Sequence, residues 1–233
     1  MNRPVAIDLF CGLGGWTEGL MAEGWHVIGF DIERHVYGEH RYPAQLVLQD
    51  VLTLHGSQFR EADLIVASPP CQAYSYRAMP WKRAKALPPP CNALFEACFR
   101  IQREACEAAG RHIPLIVENV RGAQPWVGRA RWNYGSFYLW GDVPALMPPR
   151  IGARKAFPGD KDGWFGNYEH MKEGIKQRGS GREWFAGDGK ISRMTSSKSP
   201  ARKLASAMIA KIPLPLSRYI AATFKPREAR HAA

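Results

Sequence analysis

The opening thirty-one residues restrict the fold more than any other stretch. Val5-Ala6-Ile7-Asp8-Leu9-Phe10 is an apolar run of strand length. Cys11-Gly12-Leu13-Gly14-Gly15 follows as a tight turn. Trp16 to Glu23 has helical spacing, with Trp16, Leu20 and Met21 on one face, and Gly24 ends it. His26-Val27-Ile28-Gly29-Phe30-Asp31 is a second strand with an acid at its end. Strand, glycine turn, helix and strand in this order open a nucleotide-binding α/β unit. The glycines let a ligand approach the backbone, and the free N–H groups of the helix start favour a carboxylate or phosphate. Asp31 stands where a ribose-binding acid is expected. The turn is not a complete G-x-G-x-x-G, so the glycines gain weight only together with Asp31.

Further along, Leu46-Val47-Leu48 is a short strand that runs into Gln49-Asp50. Asp50 either caps a turn or accepts a hydrogen bond from an adenine amino group. Leu64-Ile65-Val66-Ala67 is a fourth strand, and Ser68-Pro69-Pro70-Cys71-Gln72 follows it. The prolines stop the strand and stiffen the turn. They hold one thiol at a strand's carboxyl end, where open α/β sheets place their ligands. A cysteine there is an attacking thiolate if its pKa is lowered, or else a small half-buried side chain on a rigid loop. Arg77, Lys82, Arg83 and Lys85 come next with no acid among them. They form either a solvated loop or a basic loop suited to closing over a phosphate backbone. Asn92 to Ala109 is a helix, with Leu94, Phe95, Cys98, Ile101, Ala105 and Ala108 expected inside. Ile113 to Val117 is a fifth strand, closed by Glu118-Asn119-Val120. If the fourth and fifth strands are neighbours, Cys71 and Glu118 open into one crevice.

Charge separates the two halves. Residues 1–149 hold 14 Lys and Arg against 14 Asp and Glu, and residues 150–233 hold 18 against 7, so the whole net charge of +11 lies in the second part. A basic segment that also carries aromatic residues points to a polyanion partner. From residue 121 to 199 periodicity weakens while Trp126, Trp132, Tyr134, Tyr138, Trp140, Trp164, Tyr168 and Trp184 accumulate. These aromatics either stack on bases or form the core of a small recognition subdomain. Phe137 to Trp140 is expected to be a strand within it. Arg202 to Ile212 and Leu216 to Phe224 are expected helices separated by Pro213-Leu214-Pro215, with a frayed tail beyond. Five cysteines without C-x-x-C spacing and seven scattered histidines give little support for a metal site. No membrane-spanning run or signal-peptide pattern is present, and an intracellular, reducing setting is expected.

Taken together, these residues resemble the DNA cytosine-5 methyltransferases. Asp8 to Gly15 is similar to that family's first motif, with Cys11 at a position that is usually small. Asp31 and Asp50 match its ribose and adenine acids, and Ile32 its adenine-packing residue. Ser68 to Ser75 matches the nucleophile motif and Glu118-Asn119-Val120 the catalytic glutamate motif. The resemblance covers residues 5–120. It implies a Rossmann-like class I S-adenosylmethionine-dependent methyltransferase sheet. It places the donor on Asp8, Phe10, Gly12, Leu13, Gly14, Gly15, Asp31, Ile32, Asp50, Pro70 and Lys211. It implies Cys71 as nucleophile and Glu118 as its partner on a flipped cytosine. Double-stranded DNA would be met by Gln72, Ser75, Arg77, Lys82, Arg83, Lys85 and Arg129, without metal or membrane, by a monomer. The domains expected are a catalytic one at 1–121 plus 200–226, a reduced recognition region at 122–199, and a frayed tail at 227–233.

The second half departs from the family. Asn133-Tyr134-Gly135 runs almost directly into Phe137-Tyr138-Leu139-Trp140, so an arginine motif is missing, and Arg131 or Arg129 is the candidate to replace it. Lys211 stands where the family carries an asparagine beside the donor. A lysine there favours a donor with an extra anion, carboxy-S-adenosylmethionine, since a charge-assisted hydrogen bond contributes about 1.5–3 kcal/mol. Carboxymethyl would then be transferred. Alternatively Lys211 faces solvent or a DNA phosphate and methyl is transferred. A third reading is an inactive DNA-binding protein on the same scaffold.

Overall fold

The apolar runs do form parallel strands. The computed structural model describes residues 3–75, 87–147 and 200–226. In it, β1 (Val5–Leu9) leads through α1 (Gly15–Ala22) to β2 (His26–Asp31). A two-stranded hairpin, β3 (Val36–Tyr37) and β4 (His40–Arg41), connects to β5 (Gln45–Leu48). Two 3₁₀ turns lead to β6 (Leu64–Ala67), and α2 (Ala93–Ala109) leads to β7 (Leu115–Asn119). A short helix α3 (Gln124–Val127) precedes β8 (Trp132–Tyr134) and β9 (Phe137–Gly141), and α4 (Pro200–Ala210) and α5 (Leu214–Phe224) follow. The order across the main sheet is β5-β2-β1-β6-β7-β9-β8, with β9 antiparallel to both its neighbours. Counted within this sheet alone, the strands run 3-2-1-4-5-7-6. This is the Rossmann-like class I methyltransferase sheet that the resemblance implies.

Layering explains why the strands are continuously apolar rather than alternating. Successive residues of a strand face opposite sides, and helices cover both sides of this sheet. Ile65 and Ala67 pack with Phe95, Cys98 and Ile101 of α2. Leu64 and Val66 pack on the other face with Trp16 and Leu20 of α1 and with Leu216 and Ile220 of α5. All four residues of β6 are therefore buried. α1 packs closely on α5 and on the turn before it because α1 has glycine at two contact positions. A Cβ on Gly15 would stand 2.3 Å from the Ile212 nitrogen, and one on Gly19 would stand 2.2 Å from Ser217 Oγ.

Several expectations change. β8 and β9, within the stretch expected to be a small subdomain, extend the main sheet, and Tyr134, Phe137 and Trp140 are core residues. Residues 32–44, for which the sequence offered no element, contain the small β3–β4 hairpin, and Tyr42 and Pro43 pack against the glycine turn. Met21 is 44% exposed and Ala108 is exposed in the last turn of α2, because the buried stripes end at Leu20 and Ala105. α5 begins at Leu214, two residues before the expected start. Pro213 is its N-cap and Pro215 sits in its first turn, where a missing N–H removes no helical hydrogen bond.

Candidate active site

The chain turns leftward in the sheet from β1 to β2 and rightward from β6 to β7, so the strand order reverses between β1 and β6. At such a switch point the loops after the two strands part and leave a crevice. Here it is a cleft of about 530 Å³. Both motif-bearing strand ends open into it: Asp8 and Phe10 to Leu13 from β1, and Ser68 to Gln72 from β6. Asp31 and Ile32 enter from β2, Asp50 from the end of β5, and Glu118 from β7. Residues of α4 and the α4–α5 turn, Lys211 and Ile212 among them, form a further wall.

The β1–β2 side is organised by carboxylates. Asp31 Oδ2 accepts from the Gly12 N–H at 2.9 Å and Oδ1 from the Glu33 N–H at 3.4 Å. Burial pushes the Asp31 carboxyl up, but hydrogen bonds from His35, Gly12 and Glu33 outweigh it, and the pKa lies below its ordinary value. Phe10 adopts a left-handed φ of 58°, rare for a bulky residue, where β1 turns into the glycine segment. Beneath this turn, Asp8 is 1% exposed. Its Oδ2 accepts from Thr17 Oγ1 at 2.6 Å, and that hydroxyl lies 2.7 Å from Tyr42 OH. Asp8 Oδ1 has no hydrogen-bond partner. Burial pushes the Asp8 pKa up to about 7, Thr17 opposing and Asp31 adding to the rise. Asp50 caps the turn at Val51–Thr53, its Oδ1 accepting from Leu52 N at 2.9 Å. Ile32 is 72% exposed at the mouth.

The thiol side is a braced turn. Ser68 N donates to Leu9 O, and Ser68 Oγ accepts from Trp16 Nε1 at 3.0 Å, which ties the turn to β1 and α1. Asn119, 1% exposed, donates from Nδ2 to Pro69 O at 2.9 Å and accepts from Val120 N at 2.8 Å. Thus the residue after Glu118 fixes the residue two before Cys71. Cys71 itself is half-buried, and Glu118 is buried. Cys11, the other thiol in the cleft, is pushed far above its ordinary pKa by burial and by Asp8 and Asp31, so it stays protonated.

Not every expected residue reaches the cleft. Gly14 packs against Pro43 and Tyr42. Ser75 lies beyond the lining, and Arg129 and Arg131 are exposed elsewhere; Arg131 N donates to Leu139 O beside β8. Arg77, Lys82, Arg83 and Lys85, the aromatics Trp164, Tyr168 and Trp184, and the tail from 227 lie outside the described residues. Lys211 lines the cleft, and its ammonium pairs with Glu18 of α1 at 2.5 Å. Trp16, Thr17, Tyr42 and Asn119 escape sequence reading, because their partners lie 9 to 52 residues away. Only their placement beside a motif could have signalled them. Among the described residues no group of three or more His, Cys, Asp or Glu could hold a metal, and no helix is long and apolar enough to cross a membrane.

A segment of 79 residues is 35% identical to the Type II methyltransferase M1.HphI of Haemophilus parahaemolyticus, covering 30% of this chain and 21% of that protein. The chain thus spans about a fifth of the length of that relative. Among solved structures, an E. coli prophage-encoded protein described as a DNA modification methyltransferase is 25% identical at a TM-score of 0.37, over 52% of this chain and 33% of that one. The S. pombe Dnmt2 methyltransferase is 17% identical at a TM-score of 0.36, over 53% and 36%. Residues 5–124, just over half of the chain, match the profile of the C-5 cytosine-specific DNA methylases. Those residues contain the glycine turn, Asp31, Asp50, Cys71 and Glu118 that meet in the cleft, and the chain belongs to that family.

Proposed function

We propose that this protein transfers a methyl group from S-adenosylmethionine to C5 of a cytosine flipped out of double-stranded DNA. One observation carries the reading: Cys71 and Glu118, at the carboxyl ends of adjacent strands, share a cleft with Asp8, Gly12 and Asp31. The cleft fits the donor's parts. Asp31, held charged by its hydrogen bonds, suits a ribose diol. Exposed Ile32 offers a face for adenine. The unpartnered buried Asp8 Oδ1 suits an ammonium. The donor supplies an electrophilic methyl carbon.

The remaining chemistry belongs to this chain. The Cys71 thiolate adds to cytosine C6, and the displaced electron pair makes C5 nucleophilic. Glu118 holds N3 and the exocyclic amine as charge develops there. After C5 has been alkylated it loses its proton, the S–C6 bond breaks, and the thiolate leaves. The target atom is inaccessible in a stacked duplex, which is why the base must leave the helix. The pairing of Lys211 with Glu18 supports methyl over carboxymethyl transfer, since an anionic donor would have to draw the ammonium away from that partner.

Nucleosides from treated duplex DNA, weighed by mass spectrometry with methyl and carboxymethyl donors in competition, test this. Methylcytosine from the wild type and none from Cys71→Ser, with DNA binding retained, is the expected result. Undiminished product from Cys71→Ser would sink the mechanism, and carboxymethylcytosine as the main product would sink the donor assignment.

A further inference from the structure

One charged cluster in the cleft surrounds Asp31 with residues that belong to none of the motifs. His35 follows Asp31 by four residues and leads into β3. Its Nε2 lies 3.5 Å from Asp31 Oδ1, and its Nδ1 lies 3.5 Å from Glu33 Oε1. The hydroxyl of Tyr37 is 3.4 Å from Nδ1, and the Tyr37 ring stacks on the imidazole with centroids 6.2 Å apart. His35, Glu33 and Tyr37 all line the cleft, as does Lys203 from α4 on the opposite wall.

The imidazole bridges two carboxylates, one through each ring nitrogen. A neutral imidazole carries a single N–H and can serve only one of them; the imidazolium serves both. Asp31 otherwise has one short hydrogen bond, from Gly12 N to Oδ2. Its other oxygen has the longer contact from Glu33 N and the imidazole. The Asp31 carboxylate is therefore held at Oδ2 by the Gly12 N–H and at Oδ1 by the Glu33 N–H and the His35 ring together.

We infer that His35, as an imidazolium spanning Asp31 and Glu33, is a positioning residue that orients the Asp31 carboxylate toward the ribose of the donor. The inference rests on the donor reading above. Protonation of the ring is therefore linked to donor affinity. The groups facing the ring are Asp31 on β2, Glu33 in the loop, Tyr37 on β3 and Lys203 on α4. The hydrogen bond to Asp31 is the largest influence; it and the charges of Asp31 and Glu33 outweigh burial and Lys203, and the pKa lies above the ordinary 6.5. Donor affinity is thus complete below the ordinary histidine range and declines as pH rises through the raised value.

Calorimetric binding of S-adenosylhomocysteine, with the wild type, D31A, H35A and H35Q from pH 6 to pH 9, tests this without requiring turnover. Glutamine retains an N–H for Asp31 but cannot titrate. We expect H35A to bind about tenfold more weakly than wild type at pH 6.5, the scale of one charge-assisted hydrogen bond. H35Q recovers part of that loss, and its affinity lacks the decline with pH that the wild type shows. Titrations of Asp8 and of the ligand's own amine are common to both proteins and cancel in the comparison. Wild-type affinity in H35A, alongside a large loss in D31A, overturns the role of His35 and leaves the donor reading intact. An unchanged D31A overturns both. Equal losses in H35A and H35Q with the wild-type pH profile preserved reduce His35 to packing and also overturn the proposal.

Discussion

Replacing Asn119 by aspartate tests how the thiol turn is anchored to β7. The native amide is 1% exposed and bridges Pro69 O and Val120 N at 2.9 and 2.8 Å. Aspartate has nearly the same shape and keeps the contact to Val120, but it sets a carboxylate oxygen against the Pro69 carbonyl. The lost hydrogen bond costs about 1 kcal/mol, and a buried carbonyl left unsatisfied adds roughly 1–3 kcal/mol. For a chain of this size each kcal/mol lowers Tm by roughly 2–4 °C. We therefore expect Asn119→Asp to melt roughly 4–16 °C below wild type at pH 8. Acid relieves the defect. Burial raises the pKa of the introduced carboxyl, and once protonated it donates to Pro69 O as the amide did. The folded state then holds a proton that the unfolded state releases, so the deficit shrinks as pH falls. Thermal melts at pH 5 and pH 8 measure both effects. Turnover should fall by more than S-adenosylhomocysteine affinity, because the displaced turn carries Cys71 but only Pro70 of the proposed donor residues. A wild-type Tm at pH 8, or a deficit of the same size at both pH values, would refute the anchoring argument.

Two further outcomes follow from the same packing and electrostatics. Gly19→Ala puts a Cβ 2.2 Å from Ser217 Oγ and 2.5 Å from the Arg218 nitrogen; overpacking of this kind costs about 1–3 kcal/mol, and limited proteolysis should release α5 far faster than from wild type. Asp8→Asn removes a buried carboxyl whose pKa of about 7 exceeds its unfolded value. The wild type is favoured by that group in acid and loses the contribution as pH rises through 7, so denaturant titrations should show the variant gaining on wild type by on the order of 4 kcal/mol between pH 4 and pH 8; a constant difference would count against a buried, protonated Asp8.

The parts of the fold legible in the sequence are those with a single physical cause. Leu64 to Ala67 and Leu115 to Val117 are continuously apolar because helices cover both faces of the sheet, and a short apolar run ended by prolines or an acid has few other readings. The acids at strand ends were visible for the same reason, since a carboxylate that closes a buried strand faces the crevice. The 32–44 crossover was not, because a hairpin of two-residue strands has no period to detect. Composition left Tyr134, Phe137 and Trp140 open between a core and a nucleic-acid surface, and the pairing of β8 and β9 into the main sheet decides for the core. Asn119 and Thr17 were hidden differently. Each makes a hydrogen bond to a group that only the folded sheet brings near, Pro69 O in one case and Asp8 Oδ2 in the other.

The wall built by α4 and the turn before α5 sets an order of events during synthesis. Once β7 has formed, the nascent chain has Asp31, Cys71 and Glu118 in register, but Lys203, Ala207, Lys211 and Ile212 are still to come. Until they arrive, Gly15 and Gly19 face water in place of Ile212 and Ser217, and the cleft lacks a side. Residues separated by nearly two hundred positions must therefore meet before the cleft is walled on that side, as Glu18 and Lys211 do. Long-range closure of this kind is slow compared with local helix formation. A chain interrupted before α4 would thus carry an assembled thiol turn beside a cleft that lacks one wall.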